Sequence, residues 1–473
     1  MAQPYRTAYH FQPLKNWTFF FTDLYPNGPM IYKGIYHLFY QYNPKSAKWA
    51  NIAWDHSTST DLVNWTIHPP ALLPSDPFDF NGCWSGSTTI LQDGTPAILY
   101  TGGVSQKVNL QNLAVPKDPS DPYLVEWIKS PHNPIMTPKE EEKTWFRDPT
   151  TAWLGTDRIW RVIIGNKREN RGTALLYKSE DFIHWTEAER PLHSSNETTM
   201  SECPDFFPVS IDEENGLDTL EIFPGIKHVL KISAMSSSGS VDNESGLRLD
   251  YGKYYASKYF FDSEKKRRIS IAWVNESTSK EINLIRGWCG LQCFPRKIWL
   301  DSNLIQWPVE EIEMLRTNKY NTGSCWTNPQ EIANKSGSSA NTGVGPFGLL
   351  VLASNNIEEY TAIYFIIFKK NDKFFVLMGC DQKRSSVGLE YVKTNYGAFL
   401  DIDPLTEKLS LRTLIDHSIV KSFGGGGKTC ITTRAYPTLA INDNAHLFVF
   451  NNGSQHVDIS NLNAWSLSQA HIN

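Results

Sequence analysis

The feature that most constrains this chain is an internal echo. The stretch Ser57-Thr58-Ser59-Thr60-Asp61-Leu62-Val63-Asn64-Trp65 is answered by Tyr177-Lys178-Ser179-Glu180-Asp181-Phe182-Ile183-His184-Trp185. Both copies read Ser-x-Asp-(Leu/Phe)-x-x-Trp directly after a strand-like run, and a tryptophan at a matched offset needs a matched socket. Radially repeated four-stranded sheets supply such sockets. A β-propeller is therefore the expected architecture.

The surrounding pattern agrees. Short apolar runs bounded by turn residues recur at 35–41, 52–56, 87–91, 97–101, 150–154, 160–165 and 173–178, and helical periodicity is confined to a short candidate at 308–316. Residues 254–261 and 268–274 read as a last blade. Beyond Asp301 the chain turns rich in Asn, Thr, Ser and Gly, then alternates again at 347–353, 361–369, 373–379, 409–416 and 446–451, which suits a two-sheet sandwich. The expected class is all-β: a propeller over 1–301, a linker over 302–339 and a β-sandwich over 340–473.

Charge narrows the partners. The 473 residues carry a net charge of −5, with Lys and Arg scattered rather than striped, so neither nucleic acid nor an anionic membrane is an expected partner. The longest apolar run, 362–368, falls far short of the ~18 residues of a membrane-spanning helix. Met1-Ala2-Gln3-Pro4 shows neither the basic nor the apolar region of a signal peptide, which taken literally reads as cytosolic. Seven Asn-x-Ser/Thr sequons, at Asn16, Asn64, Asn196, Asn243, Asn275, Asn334 and Asn452, point mildly the other way. The seven cysteines form no CxxC pair and lack histidines at zinc spacing, so no metal and no cofactor is expected. A small polar substrate fits best.

Three acids stand in unusual settings. Asp23 precedes the turn Pro26-Asn27-Gly28-Pro29, Asp148 lies in Phe146-Arg147-Asp148-Pro149, and Glu202 lies in Ser201-Glu202-Cys203-Pro204-Asp205-Phe206. Glycoside hydrolysis needs two carboxyl groups in different environments, one ionised and one able to donate a proton. Met200, Cys203, Pro204 and Phe206 give Glu202 the apolar neighbours of a proton donor, whereas Arg147 suggests a fixed carboxylate at Asp148 suited to holding sugar hydroxyls. Taken singly, each acid is more often a surface, salt-bridged or turn residue. Taken together, the three are expected to share the axial pocket. Trp17, Tyr42, Trp49, Trp84 and Trp145 lie beside polar turns where a ring can stack on a sugar, although most Trp residues of a β protein are core.

These stretches resemble glycoside hydrolase family 32, the plant acid invertases and fructan exohydrolases. The resemblance rests on His10-Phe11-Gln12-Pro13, Pro26-Asn27-Gly28-Pro29-Met30, Tyr36-His37-Leu38-Phe39-Tyr40-Gln41, Trp84-Ser85-Gly86-Ser87, Phe146-Arg147-Asp148-Pro149, Glu202-Cys203-Pro204-Asp205-Phe206 and Asp250-Tyr251-Gly252-Lys253-Tyr254-Tyr255-Ala256-Ser257. Cys380-Asp381-Gln382 and Leu414-Ile415-Asp416-His417-Ser418 extend it to nearly the whole chain. It implies a five-bladed β-propeller followed by a β-sandwich and retaining hydrolysis of β-fructosides such as sucrose. It also implies a monomeric glycoprotein of the cell wall with a proteinaceous inhibitor as partner. By resemblance Asp23 is the candidate nucleophile, Asp148 the transition-state stabiliser and Glu202 the acid/base. Asn27, Gln41, Trp49, Trp84, Ser85 and Arg147 would line the sugar site, Asp250 and Lys253 would favour sucrose over fructan, and Cys380 and Cys430 would form a disulfide. Fructan exohydrolase activity, and a non-catalytic fructoside-binding protein on the same scaffold, are the alternatives.

The chain departs from the family pattern in four places. Trp17 is separated from Pro26 by five additional residues, and Tyr25 stands where the nucleophile should precede Pro. Asp23 is displaced by two positions, about 6 to 7 Å along a strand, where a retaining pair needs about 5 Å between carboxyls. Ser201 and Tyr42 stand where Trp is usual, and the polar run 236–245 predicts a shortened fourth blade.

Overall fold

The computed structural model describes residues 4–12, 25–43, 51–105, 107–211, 214–219, 225–235, 247–286, 288–301, 303–320, 343–371 and 373–473. Asp23, Trp17, Trp49 and the run 236–245 lie outside the described residues. Five antiparallel sheets are arranged as blades. Blade one pairs Pro26–Tyr32, Ile35–Tyr42, Ala53–Ser59 and Thr66–Leu72 in sequence order. Blade two pairs Cys83–Ile90, Pro96–Ser105, Val108–Pro116 and Trp127–Lys129. Blade three is built on Trp153–Leu154, Trp160–Arg168, Arg171–Ser179 and Thr186–Glu187. The described part of blade four is the pair Met200–Ser210 and Ile226–Met235. Blade five comprises Tyr254–Asp262, Arg267–Val274, Arg296–Asp301 and Asn303–Pro308, so its outermost strand runs past residue 301.

The echo is one turn built twice, each time between the third and fourth strands of a blade. Ser59 Oγ accepts from Leu62 N at 2.8 Å and Asp61 Oδ1 from Asn64 N at 2.7 Å; Ser179 Oγ accepts from Phe182 N at 2.9 Å and Asp181 Oδ1 from His184 N at 2.8 Å. Leu62 and Phe182 share a left-handed backbone, with φ of 62° and 66°. The tryptophans then pack inward, Trp65 against Phe11 and Trp185 against Phe182. The candidate helix at 308–316 appears as a 3-10 turn, Glu310–Leu315.

A five-stranded sheet (Tyr396–Leu400, Lys373–Asp381, Thr361–Lys370, Gly343–Ala353, His446–Asn451) and a three-stranded sheet (Leu411–Asp416, Ile419–Gly424, Thr429–Arg434) form the sandwich. The expected Cys380–Cys430 disulfide is not present, and both thiols are free and buried. Side chains alternate across a strand, and here the alternation separates the pair. Cys380 lies in the sandwich interior with Val420 and Ile431, whereas Cys430 packs with Phe423 and Leu414 in the cluster shared with the propeller.

The two domains are joined by backbone as well as side chains. Tyr251 N donates to Cys430 O at 2.9 Å and Lys253 N to Thr432 O at 2.7 Å, extending the small sheet with the lead-in to blade five. Asp416 receives the backbone amides of Ala8, Tyr9 and His10, and His10 Nδ1 sits 2.8 Å from its Oδ2. A Cβ at Gly252 would lie 1.9 Å from the Thr432 carbonyl oxygen. Gly252→Ala is therefore expected to cost about 3 kcal/mol or more, read as a lower urea midpoint.

Where blade one meets the Pro122 loop, a histidine ladder is buried. His37 Nε2 donates to Pro122 O at 3.1 Å, and His37 Nδ1 lies 3.0 Å from His56 Nε2. Burial holds His37 down at about 3, with His68 adding to the fall and the Pro122 carbonyl and Asp121 opposing it. A histidine kept neutral in the fold but free to protonate when unfolded stabilises fully above its ordinary pKa of about 6.5. That share is lost as pH falls towards 3. His37→Gln, which keeps an amide donor for Pro122, should lose less melting temperature between pH 6.5 and pH 4.5 than the parent.

Candidate active site

The innermost strand of every blade carries the same irregularity, a one-residue bulge. An advance of three residues on it matches two on its neighbour between Asn27 and Met30, Cys83 and Gly86, Glu202 and Asp205, and Tyr255 and Lys258. Blade three repeats it, with Arg147 bridging Gly165 and Thr150 N reaching Ile163 O at 3.0 Å. A bulge breaks the strict alternation of side chains and re-aims those it contains. In four blades the next residue is left-handed: Gly28 (φ 40°), Asp148 (66°), Cys203 (42°) and Ala256 (51°). Non-glycine residues hold that conformation at a cost, and such strain gathers at functional sites.

These bulges bring Arg147, Asp148, Glu202 and Tyr255 together. Arg147 Nη2 donates to Glu202 Oε1, and its Nε lies 3.8 Å from Asp148 Oδ2. Tyr255 OH donates to the other Glu202 oxygen, Oε2, at 2.6 Å. Asp148 Oδ2 accepts from Cys203 N at 2.9 Å, and Asp148 N donates to Thr101 Oγ1 at 2.8 Å. One guanidinium thus spans two carboxylates presented by neighbouring blades. In place of the apolar setting expected for Glu202, a cation and a phenol meet its two oxygens.

Burial raises the Asp148 carboxyl above the ordinary range; Arg147 pulls it back and Glu202 adds to the rise. For Arg147, burial disfavours the cation but Glu202 and Asp148 more than restore it.

The remaining expected residues divide. Asn27 sits in the blade-one bulge, fully buried, and neither atom of its amide has a hydrogen-bond partner among the described residues. A buried amide without partners is costly unless a ligand satisfies it. Gln41 and Ser85, both buried, are bonded to each other, Nε2 to Oγ at 2.8 Å. Trp84 lies in the blade-two bulge, where its carbonyl accepts from Trp54 Nε1 at 2.8 Å.

Asp250 does not join this cluster. It is buried at the seam with the sandwich, its Oδ2 accepting from Arg296 Nη2 and Thr432 Oγ1, both at 2.7 Å, and its Oδ1 from Thr432 N at 2.9 Å. The structure thus gives it an interdomain contact. Lys253 is half-buried beside it, and burial pushes its amine below the ordinary lysine range.

Tyr255 was missed by sequence reasoning as a site residue. A signal exists: Asn27-Gly28-Pro29, Arg147-Asp148-Pro149 and Glu202-Cys203-Pro204 each place a polar residue two before a proline. Proline, lacking an N–H, suits a bulge. The three triplets therefore mark equivalent places, and Tyr255 occupies the same place in blade five without the proline.

The profile of the Glycosyl hydrolases family 32 N-terminal domain matches residues 10–308, and that of the family 32 C-terminal domain matches 306–466. A beta-fructofuranosidase, insoluble isoenzyme, from Arabidopsis thaliana is 53% identical over 100% of this chain and 91% of its own length. A fructan 6-exohydrolase from Beta vulgaris is 48% identical over 99% of this chain and 88% of its own. The crystal structure of fructan 1-exohydrolase IIa from Cichorium intybus superposes with a TM-score of 0.91 at 44% identity, covering 100% of this chain and 99% of that one. A glutamate-to-glutamine form of that enzyme was solved with 1-kestose. With family profiles matching both domains and relatives near half identity along its whole length, this chain belongs to glycoside hydrolase family 32.

Proposed function

We propose that the protein is a β-fructofuranosidase of the cell-wall type, hydrolysing sucrose to glucose and fructose with retention at the anomeric carbon. The observation that carries this reading is the Arg147 guanidinium between Asp148 and Glu202 at two adjacent bulges. In this reading Asp23 attacks the fructosyl anomeric carbon while Glu202 protonates the glucosyl oxygen. Glu202 then takes a proton from the water that releases fructose. Asp148 receives fructose hydroxyls, and the partnerless amide of Asn27 is ready to do the same. The role of Asp23 rests on the resemblance of its stretch to the family, and Tyr25, the first described residue after it, has its ring 6.0 Å from that of Tyr255, the residue bonded to Glu202. An extracellular setting fits the relatives named as insoluble isoenzymes.

A fructan exohydrolase is the second reading, favoured by one observation. Asp250, expected to select sucrose, is engaged by Arg296 and Thr432 at the domain seam. Initial rates on sucrose, 1-kestose, inulin and levan at about pH 5 decide between the two. Faster turnover of sucrose supports the first, and faster release of fructose from inulin or levan the second.

Glu202→Gln and Asp23→Asn should each lower kcat by about 10³-fold while fructoside binding persists. Wild-type turnover in either variant would remove that residue from the mechanism. Tyr255→Phe, which deletes one hydrogen-bond donor to Glu202, should lower kcat by about 10-fold. Steady-state kinetics measure both.

A further inference from the structure

Beneath the acid pair lies a lysine that the mechanism does not use. Lys258 closes the blade-five bulge and is 1% exposed. Its Nζ reaches Ser87 Oγ at 2.9 Å in blade two, and the carbonyl oxygens of Pro149 and Pro204, both at 3.4 Å, in blades three and four. An ammonium has three donors, and here three acceptors on three blades receive them. The two carbonyls belong to the residues just after Asp148 and Cys203, inside the bulges that present Asp148 and Glu202. Ser87 Oγ also donates to Pro149 O at 2.8 Å, so the same hydroxyl braces the same bulge from a second side.

We propose that Lys258 is a positioning residue for the reaction: it clamps the Pro149 and Pro204 carbonyls from below and so sets the separation and aim of Asp148 and Glu202. The bulge geometry gives this clamp its leverage. Asp148 and Cys203 hold left-handed backbone that relaxes unless neighbouring contacts over-determine it. Their proline neighbours offer only a carbonyl to be held. A small rotation at Pro149 would swing the Asp148 carboxylate away from Cys203 N and the Arg147 guanidinium. Displacing a reacting group by about 1 Å costs on the order of 100-fold in rate.

The clamp also carries charge. Burial raises the Asp148 carboxyl, and Lys258 is among the groups that lower it. The titratable groups facing Asp148 are Arg147 on its own strand, Glu202, Cys203 and Lys231 from blade four, and Lys258 from blade five. Lys231, brought down to about 8 by burial, donates to Cys203 O at 2.8 Å and Ser257 O at 2.7 Å and remains in place when Lys258 is replaced.

The inference rests on the proposed hydrolase reading, and its test separates the two. Lys258→Met and Ser87→Ala are purified alongside the parent and checked for folding by circular dichroism. Sucrose kinetics are then recorded, and Asp148 is titrated through ¹³C-labelled aspartate carboxyls, assigned with Asp148→Asn. A folded Lys258→Met should lose about 100-fold in kcat with KM within about 3-fold, and the Asp148 midpoint should rise by about one pH unit. Ser87→Ala, which leaves the amine in place, should lose about 5-fold in kcat. A folded Lys258→Met with unchanged kcat and an unchanged Asp148 midpoint overturns the proposal. If Lys258→Met does not fold, Ser87→Ala decides, and parental kcat there overturns it. A parent that hydrolyses no β-fructoside ends the hydrolase reading, and the Asp148 midpoint alone then decides for or against Lys258.

Discussion

The structure depends on a ring of five bulges stitched to one another around the propeller axis. Thr88 Oγ1 donates to Gly28 O at 3.1 Å, joining blades one and two, and Ser87 Oγ to Pro149 O joins two and three. Asp148 accepting from Cys203 N joins three and four, and Asp205 Oδ2 accepting from Tyr259 N at 3.0 Å joins four and five. The rings of Tyr25 and Tyr255 meet across the last gap. Each of the four hydrogen-bonded stitches uses a side chain of one blade to hold backbone of the next. Gly28 shows how tight the ring is: a Cβ there would lie 2.7 Å from the Thr88 methyl and 2.9 Å from Thr88 N. Closure of the propeller and construction of the pocket are therefore the same event.

That coupling explains why the acids occur where they do. A carboxylate on a regular inner strand would have only its own sheet around it. At a bulge it faces the next blade, and Arg147 can reach both Asp148 and Glu202 from one position. The cost is burial of charge, and it is offset by pairing: Arg147 serves two acids, Tyr255 a third oxygen, and Lys231 and Lys258 the buried carbonyls below. The two carboxylates, the guanidinium and the two amines of the cluster are thus each hydrogen-bonded within the fold.

The sandwich contributes at the seam. Asp250, Arg296 and Thr432 form a buried ion pair with shared hydrogen bonds, the Gly252 backbone runs against Thr432, and Asp416 gathers three amides from residues 8–10. The lead-in to blade five and the N-terminal segment 8–10 are the parts of the propeller so anchored.

Sequence alone determined the all-β class, the repeated turn ending in Trp65 and Trp185, many of the strand positions on both sides of residue 301 and the family; 26–29, read as a turn, opens the first strand of blade one. These are properties of period, turn chemistry and motif, and all are local. It also singled out Asp148, Glu202 and Arg147, because an acid before proline or cysteine-proline is unusual wherever it lies. Tertiary structure decided which groups converge. The convergence of Tyr255 and Lys258 on this cluster depends on the blade-five bulge, the separation of Cys380 from Cys430 on which face of a strand each takes, and the place of Asp250 on the lead-in to blade five running along the sandwich. A single bulge reverses the face a side chain takes; the prolines beside three of the bulges mark where it occurs, but which groups then meet is decided between blades.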